Sequence, residues 1–156
     1  MPRYFETFFV ADPMTELPEA EARALPSYVV EADTGATRRM EVWLHGELER
    51  VVYPDTQPGP EVAELQRTKD ARVSTWVTST VVRDADEDRY TIWYYKPGGE
   101  LEHRTDYVST PELTVSTWYD ATGKLGGSRE RHYNEQGEQV EVIEITPEGR
   151  RMIVKL

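Results

Sequence analysis

The sequence predicts an all-β (mainly) chain, an antiparallel up-and-down meander of about ten strands with one or two short helices, lying as an open twisted sheet or closing as a barrel. Three repeated turns carry this expectation most directly. Asp120-Ala-Thr-Gly123, Asn134-Glu-Gln-Gly137 and Thr146-Pro-Glu-Gly149 each place a small polar residue three positions before a glycine. The polar residue caps a type I turn, and the glycine takes the left-handed conformation that returns the chain as a bulged hairpin. Strand-like runs, Val115–Tyr119, Arg129–Tyr133, Val140–Ile145 and Met152–Val154, separate and follow these turns. Composition is the second observation. Only 38% of the 156 residues are apolar, and many β-branched positions are Thr. A chain of this length buries roughly 69% of its unfolded surface, so the expected core is thin and part of the sheet is wet on both faces.

Taken in order, the aromatic-rich Arg3–Ala11 reads as a first strand. Thr15–Leu25 carries Glu16, Glu19 and Glu21 early and is bracketed by Pro18 and Pro26. It reads as a short helix, because acidic side chains near an amino terminus complement the helix dipole. Tyr28–Ala32 follows as a strand turning at Asp33-Thr34-Gly35. Arg39–Leu44 and Glu47–Tyr53 form a hairpin around His45-Gly46, a pair able to take two positive-φ positions. That register sets Glu41 opposite Arg50 and Trp43 opposite Leu48. Three prolines and a glycine between Pro54 and Pro60 interrupt the pattern, and Glu61–Ala71 reads as a second short helix. This is the one internal boundary. The chain reads as a single β-rich domain, 1–156, with a subdivision into 1–54 and 72–156 as the alternative.

From Arg72 onward about seven consecutive antiparallel strands are expected. Val73–Val82 goes out, Asp84–Asp88 is its acidic turn, Tyr90–Lys96 returns, and Pro97-Gly98-Gly99 leads to Leu101–Val108. If the last turns close three-residue loops, Arg131, Glu141 and Lys155 share a solvent-facing row. The reverse face, Val140, Val142, Met152, Val154 and Leu156 beside His132, is then the buried one.

The formal charge is −11, with 29 acidic against 18 basic residues. Phosphate backbones select excess Lys and Arg, so nucleic acid is not an expected partner; a basic protein is. The chain has no cysteine, which removes disulfides, thiolate metal sites and cysteine nucleophiles. No stretch has the apolar length of a signal peptide or a membrane span, and the expected location is cytoplasmic.

Four tryptophans follow Thr or a β-branched aliphatic residue in strand-like contexts: Val42-Trp43, Thr75-Trp76, Ile92-Trp93 and Thr117-Trp118. Trp and Tyr dominate binding hot spots, so Trp76, Trp93, Tyr95 and Trp118 are candidate binding residues. The competing use is as core for a sheet short of aliphatics, and Trp118 is placed to cover Gly126 or Gly127 on the neighbouring strand. Asp84, Asp86 and Asp88 alternate as in a calcium loop, but Arg89 and Tyr95 stand where the EF-hand glycine and glutamate belong. They read instead as an exposed acidic tip for a basic partner. His45, His103 and His132 lack metal-ligand spacing, and Gly123-Lys124 lacks the rest of a phosphate-binding loop. No metal, cofactor or catalytic residue is therefore assigned. Paired carboxylates are too numerous here to point anywhere, so a hydrolase or isomerase using them is the third reading.

Trp118-Tyr119-Asp120-Ala-Thr-Gly123-Lys-Leu125, followed by His132-Tyr133-Asn134-Glu-Gln-Gly137, resembles the tyrosine–aspartate (YD) repeats of Rhs-type proteins. It is also similar to the MORN-like hairpin repeats of some bacterial antitoxin and immunity proteins. The resemblance spans residues 114–149. The second copy has Asn for Asp, the third has no Tyr, and the amino-terminal half does not match. It implies a sheet that presents a surface, without catalytic residues to carry over. The leading expectation is thus a non-enzymatic interaction module, an acidic immunity- or antitoxin-type inhibitor of a basic protein. The alternative is a lipocalin-like barrel for a small apolar ligand, whose enclosed cavity would be lined by Trp76, Trp93 and Trp118.

Overall fold

The structure, a computed structural model, describes residues 1–10, 13–32, 38–58 and 72–154. The expected turn at Asp33–Gly35, the expected helix at Glu61–Ala71, and Lys155 and Leu156 lie outside them. Among the described residues there are thirteen strands and one five-residue helix. In chain order they are β1 (Arg3–Phe5), β2 (Glu16–Leu17), α1 (Glu19–Arg23), β3 (Ser27–Ala32), β4 (Arg39–Leu44), β5 (Glu47–Tyr53), β6 (Ser74–Thr78), β7 (Val82–Asp84), β8 (Glu87–Tyr95), β9 (Leu101–Ser109), β10 (Leu113–Asp120), β11 (Leu125–Tyr133), β12 (Gln139–Ile145) and β13 (Arg151–Val154). The strand order is β13-β12-β11-β10-β9-β8-β6-β5-β4-β3-β1-β2, with β7 paired to β8. The order has two free ends, so the sheet is open and the barrel expectation is set aside.

The chain divides into two compact units, Met1–Thr80 with Trp93–Leu101, and Val81–Ile92 with Glu102–Leu156. The first unit holds three clusters of buried side chains. Val51, Tyr53, Val77 and Tyr95 form one; Tyr4, Ala22, Tyr28 and Val30 form the second; Phe5, Val29, Met40 and Val52 form the third. Neighbouring residues of one strand enter different clusters, Val51 and Val52 for example, because successive side chains point to opposite faces. The centre of this sheet is therefore covered on both sides. Helix α1 sits on one side through Ala22, which is fully buried. It is shorter than expected because Glu16 and Leu17 pair with β1 and Pro18, which cannot donate a backbone hydrogen bond, becomes its first flanking residue. The first strand is also short, ending at Phe5.

Two expectations in this unit are corrected. β5 and β6 are parallel, Arg50 opposite Ser74 through Tyr53 opposite Val77. The expected run of purely antiparallel neighbours thus breaks where residues 54–73 supply the long connection that parallel strands need. In the β4–β5 hairpin, His45 (φ 50°) and Gly46 (φ 80°) do take positive φ, and Trp43 faces Leu48. A bulge between Val42 and Trp43 then shifts the rest, so Arg50 faces Val42 and Glu41 faces Val51.

The second unit is hairpin after hairpin. In each repeated turn the glycine N–H donates to the polar residue's carbonyl, at 3.0, 3.0 and 2.9 Å for Gly123, Gly137 and Gly149. The three glycines have φ of 88°, 79° and 88°. Asp120 Oδ1 accepts from the Thr122 and Lys124 amides at 2.9 and 3.0 Å, Asn134 Oδ1 from those of Gln136 and Glu138 at 3.0 and 2.9 Å, and Thr146 Oγ1 from that of Arg150 at 3.0 Å. The Thr122 hydroxyl, with the Lys124 amide, holds the Asp120 carboxyl below its ordinary range. The expected long strand Val73–Val82 is instead two, β6 and β7, and the acidic turn narrows to Ala85-Asp86.

The expected charge row at the carboxyl-terminal strands does not form. Tyr133 faces Gln139, as the turn dictates, but one extra residue on β12 moves every later pair. Glu141 comes opposite His132 and Val142 opposite Arg131, so the row runs Arg131, Val142, Val154. The predicted buried face is corrected with it. Val142 and Ile143 are buried, whereas Val140, Met152 and Val154 are exposed. Charges pair elsewhere, Arg129 directly across from Glu144 and Arg151 diagonally across to Glu130 two strands away. Arg129 binds Glu144, and Arg151 donates to both Glu130 oxygens at 3.2 and 2.9 Å, with His132 Nε2 at 3.2 Å from the same carboxylate.

Arg151 holds the Glu130 carboxyl below its ordinary value of 4.5, with His132 adding to the effect and partial desolvation opposing it. A depressed carboxyl stabilises the fold above its unfolded pKa, and that contribution is lost as pH falls through the folded value. Glu130→Gln is expected to lower the urea midpoint at about pH 7 and to do so by less at a pH below the folded pKa of Glu130, where the carboxyl is protonated. An equal loss at both pH values would assign the effect to packing.

Candidate functional site

A cleft of about 420 Å³ opens on one face of the first unit. Pairing places its walls. Val29 on β3 faces Val42 on β4, and Ser27 faces Leu44, so these side chains share a face. The β4 bulge brings Arg50 opposite Val42, and the parallel β5–β6 pair sets Val52 beside Trp76. Phe8, from the segment after β1, completes the apolar lining, and Glu6 and Glu49 also border it. The floor continues the buried cluster of Phe5, Val29, Met40 and Val52, against which Phe8, Val42 and Trp76 pack.

The Trp76 indole is held on two sides. The Arg50 guanidinium carbon lies 4.2 Å from its ring centroid, and Tyr94 meets it nearly edge-on, 5.1 Å away at 74°. Arg50 also donates to Glu49 at 2.9 Å. A cation on an aromatic face, tied in turn to a carboxylate, fixes the rotamers of a half-buried wall. In this setting the cleft can take an apolar group and orient a charge at its rim.

The residues singled out from sequence do not converge. Trp76 lines the cleft. Trp93 packs against the cluster containing Val51, Tyr53, Val77 and Tyr95, and Tyr95 belongs to that core. Burial pushes the Tyr95 phenol above its ordinary pKa. Trp118, in the second unit, lies across Gly126 and Gly127: a Cβ on Gly126 would stand 2.5 Å from Trp118 Cδ1. Asp84 and Asp86 are exposed at the β7–β8 hairpin, and Asp88 pairs with Arg83 at 3.2 Å. Ala85 turns that hairpin with φ of 53°, a conformation that costs an L residue about 1 kcal/mol. Val82, 61% exposed, stands beside it. Among the described residues no three His, Asp or Glu side chains gather as a metal would require.

Sequence reasoning missed Phe8, Val42, Leu44 and Arg50. Alternation alone puts Val42 and Leu44 on one face, and that signal was legible. The bulge that adds Arg50 to the same face depends on tertiary packing and leaves no mark in the hairpin's turn residues. Compared with protein-family models, curated proteins and solved structures, the chain has no match, so its function is read from its own residues.

Proposed function

We propose that the chain is a non-enzymatic protein-interaction module, an immunity- or antitoxin-type inhibitor that binds a basic protein in a bacterial cytoplasm. The observation that carries this reading is an exposed acidic hairpin, Asp84 and Asp86 beside Val82, on an open sheet of formal charge −11. Exposed acid of one sign steers a basic partner and accelerates encounter. An exposed apolar residue next to it supplies desolvation that charge alone does not. The resemblance of the repeated turns to those of immunity proteins supports the same class.

The test is affinity capture from native lysate with the full chain as bait. A basic protein should be retained at low salt, and a bait carrying Asp84→Lys and Asp86→Lys should lose it. Repeated recovery of no partner sinks the reading. A second reading, a binder of small apolar ligands, is favoured by the cleft beside Trp76. Tryptophan fluorescence titrated with a diverse apolar panel separates the two, since a silent panel removes the ligand reading.

A further inference from the structure

We infer that the cleft beside Trp76 receives one large apolar side chain of a partner segment that carries a Lys or Arg next to it, with Glu6 meeting the cation. The inference rests on the interaction-module reading and gives it an anchor point.

Size and lining define the apolar half. The cleft of about 420 Å³ is walled by Phe8, Val29, Val42, Leu44, Val52 and Trp76. Leu44 remains 38% exposed, so an incoming aromatic or large aliphatic group finds apolar surface still in contact with water. Such pockets hold the buried anchor of an interface and account for most of its affinity.

Charge defines the other half. Of the ionic groups bordering the cleft, Arg50 and Glu49 already satisfy each other at 2.9 Å, and the Arg50 guanidinium is stacked on Trp76. Among the described residues no side chain pairs with Glu6, which is exposed. The rim thus presents one unmatched negative charge. An acidic ligand would meet Glu6 and Glu49, with Arg50, the one cation lining the cleft among the described residues, already engaged. A neutral apolar ligand would leave Glu6 unused. A basic residue adjacent to the anchor uses both features, which is how interfaces obtain specificity from a charge at the edge of an apolar contact.

The test uses the full chain, labelled for amide and indole NMR, and acetylated peptide amides as probes: Gly-Phe-Lys-Gly, Gly-Phe-Gln-Gly and Gly-Ala-Lys-Gly. The Phe-Lys peptide, at millimolar concentration, should move the Trp76 indole and the amides of Val42 and Leu44. The other two should bind at least about threefold more weakly, as loss of one rim charge or one anchor implies. Glu6→Gln should abolish the difference between the Lys and Gln peptides, and Leu44→Ser should weaken both. Both substitutions are at exposed positions, and an unchanged melting curve verifies the fold. Equal binding of the Lys and Gln peptides overturns the inference, as does the absence of any shift. If the shifts fall instead on Val82–Asp88, the cleft is not the anchor while the basic-partner reading stands. If lysate capture also fails, both fall.

Discussion

Replacing Gly127 by alanine is expected to destabilise the chain by about 2–4 kcal/mol, and Gly126→Ala by about 1–3 kcal/mol. Trp118 pairs with Gly127 across β10 and β11, and the ladder shifts register beside it. Its indole covers both glycines. A Cβ on Gly127 would lie 2.9 Å from the Ile145 carbonyl oxygen and 2.9 Å from Trp118 Cζ2, in a backbone with φ of 139° that L residues rarely adopt. For Gly126 the obstacle is the indole alone at close range, 2.5 Å to Cδ1 and 2.6 Å to Nε1. The two positions therefore respond differently to removal of the ring. In a double-mutant cycle Trp118→Ala should relieve most of the Gly126→Ala loss but only part of the Gly127→Ala loss, because the Ile145 carbonyl and the dihedral strain remain. Chemical denaturation reads all of these, and additive losses at Gly126 would contradict the shielding.

Met40→Ala is the second large effect, an expected loss of about 2–4 kcal/mol. Met40 is fully buried in one cluster with Phe5, Val29 and Val52, so its truncation leaves a cavity among buried side chains. Ile153→Ala removes an apolar side chain of similar size from β13, where it is 72% exposed, and should cost less than about 0.5 kcal/mol. The comparison measures where this chain keeps its core. Similar losses at the two sites would mean that the carboxyl-terminal strands bury a face that the structure shows exposed.

The fold was legible wherever local chemistry determines it. Asp120, Asn134 and Thr146 each hold their turn with a side-chain oxygen, and a following glycine takes positive φ. Three residues per turn are enough to specify this. Trp118 over Gly126 and Gly127 was legible for the same reason, since a strand glycine leaves a gap that one neighbour can fill. Registers were less secure. A single extra residue at Val140 and a bulge after Val42 each moved the following pairs by one, because the side-chain period in a strand is two. The parallel β5–β6 pair was hidden by its connection, as nothing in a strand's own residues declares its neighbour's direction. Of the site, only Trp76 was anticipated at the cleft. Trp93 and Tyr95 serve the core instead, which is the usual fate of aromatics in a chain poor in aliphatics.

Recognition of a basic protein by this open, acidic sheet, as proposed, is electrostatic and therefore sensitive to salt. The most direct measurement is the affinity for the captured partner by calorimetry across ionic strength, for the native chain and for an Asp84→Asn, Asp86→Asn variant. Screening should weaken native binding by about tenfold or more between roughly 50 and 300 mM salt, and the variant should bind more weakly with a shallower dependence. An affinity indifferent to salt and to the loss of both carboxylates would contradict the account.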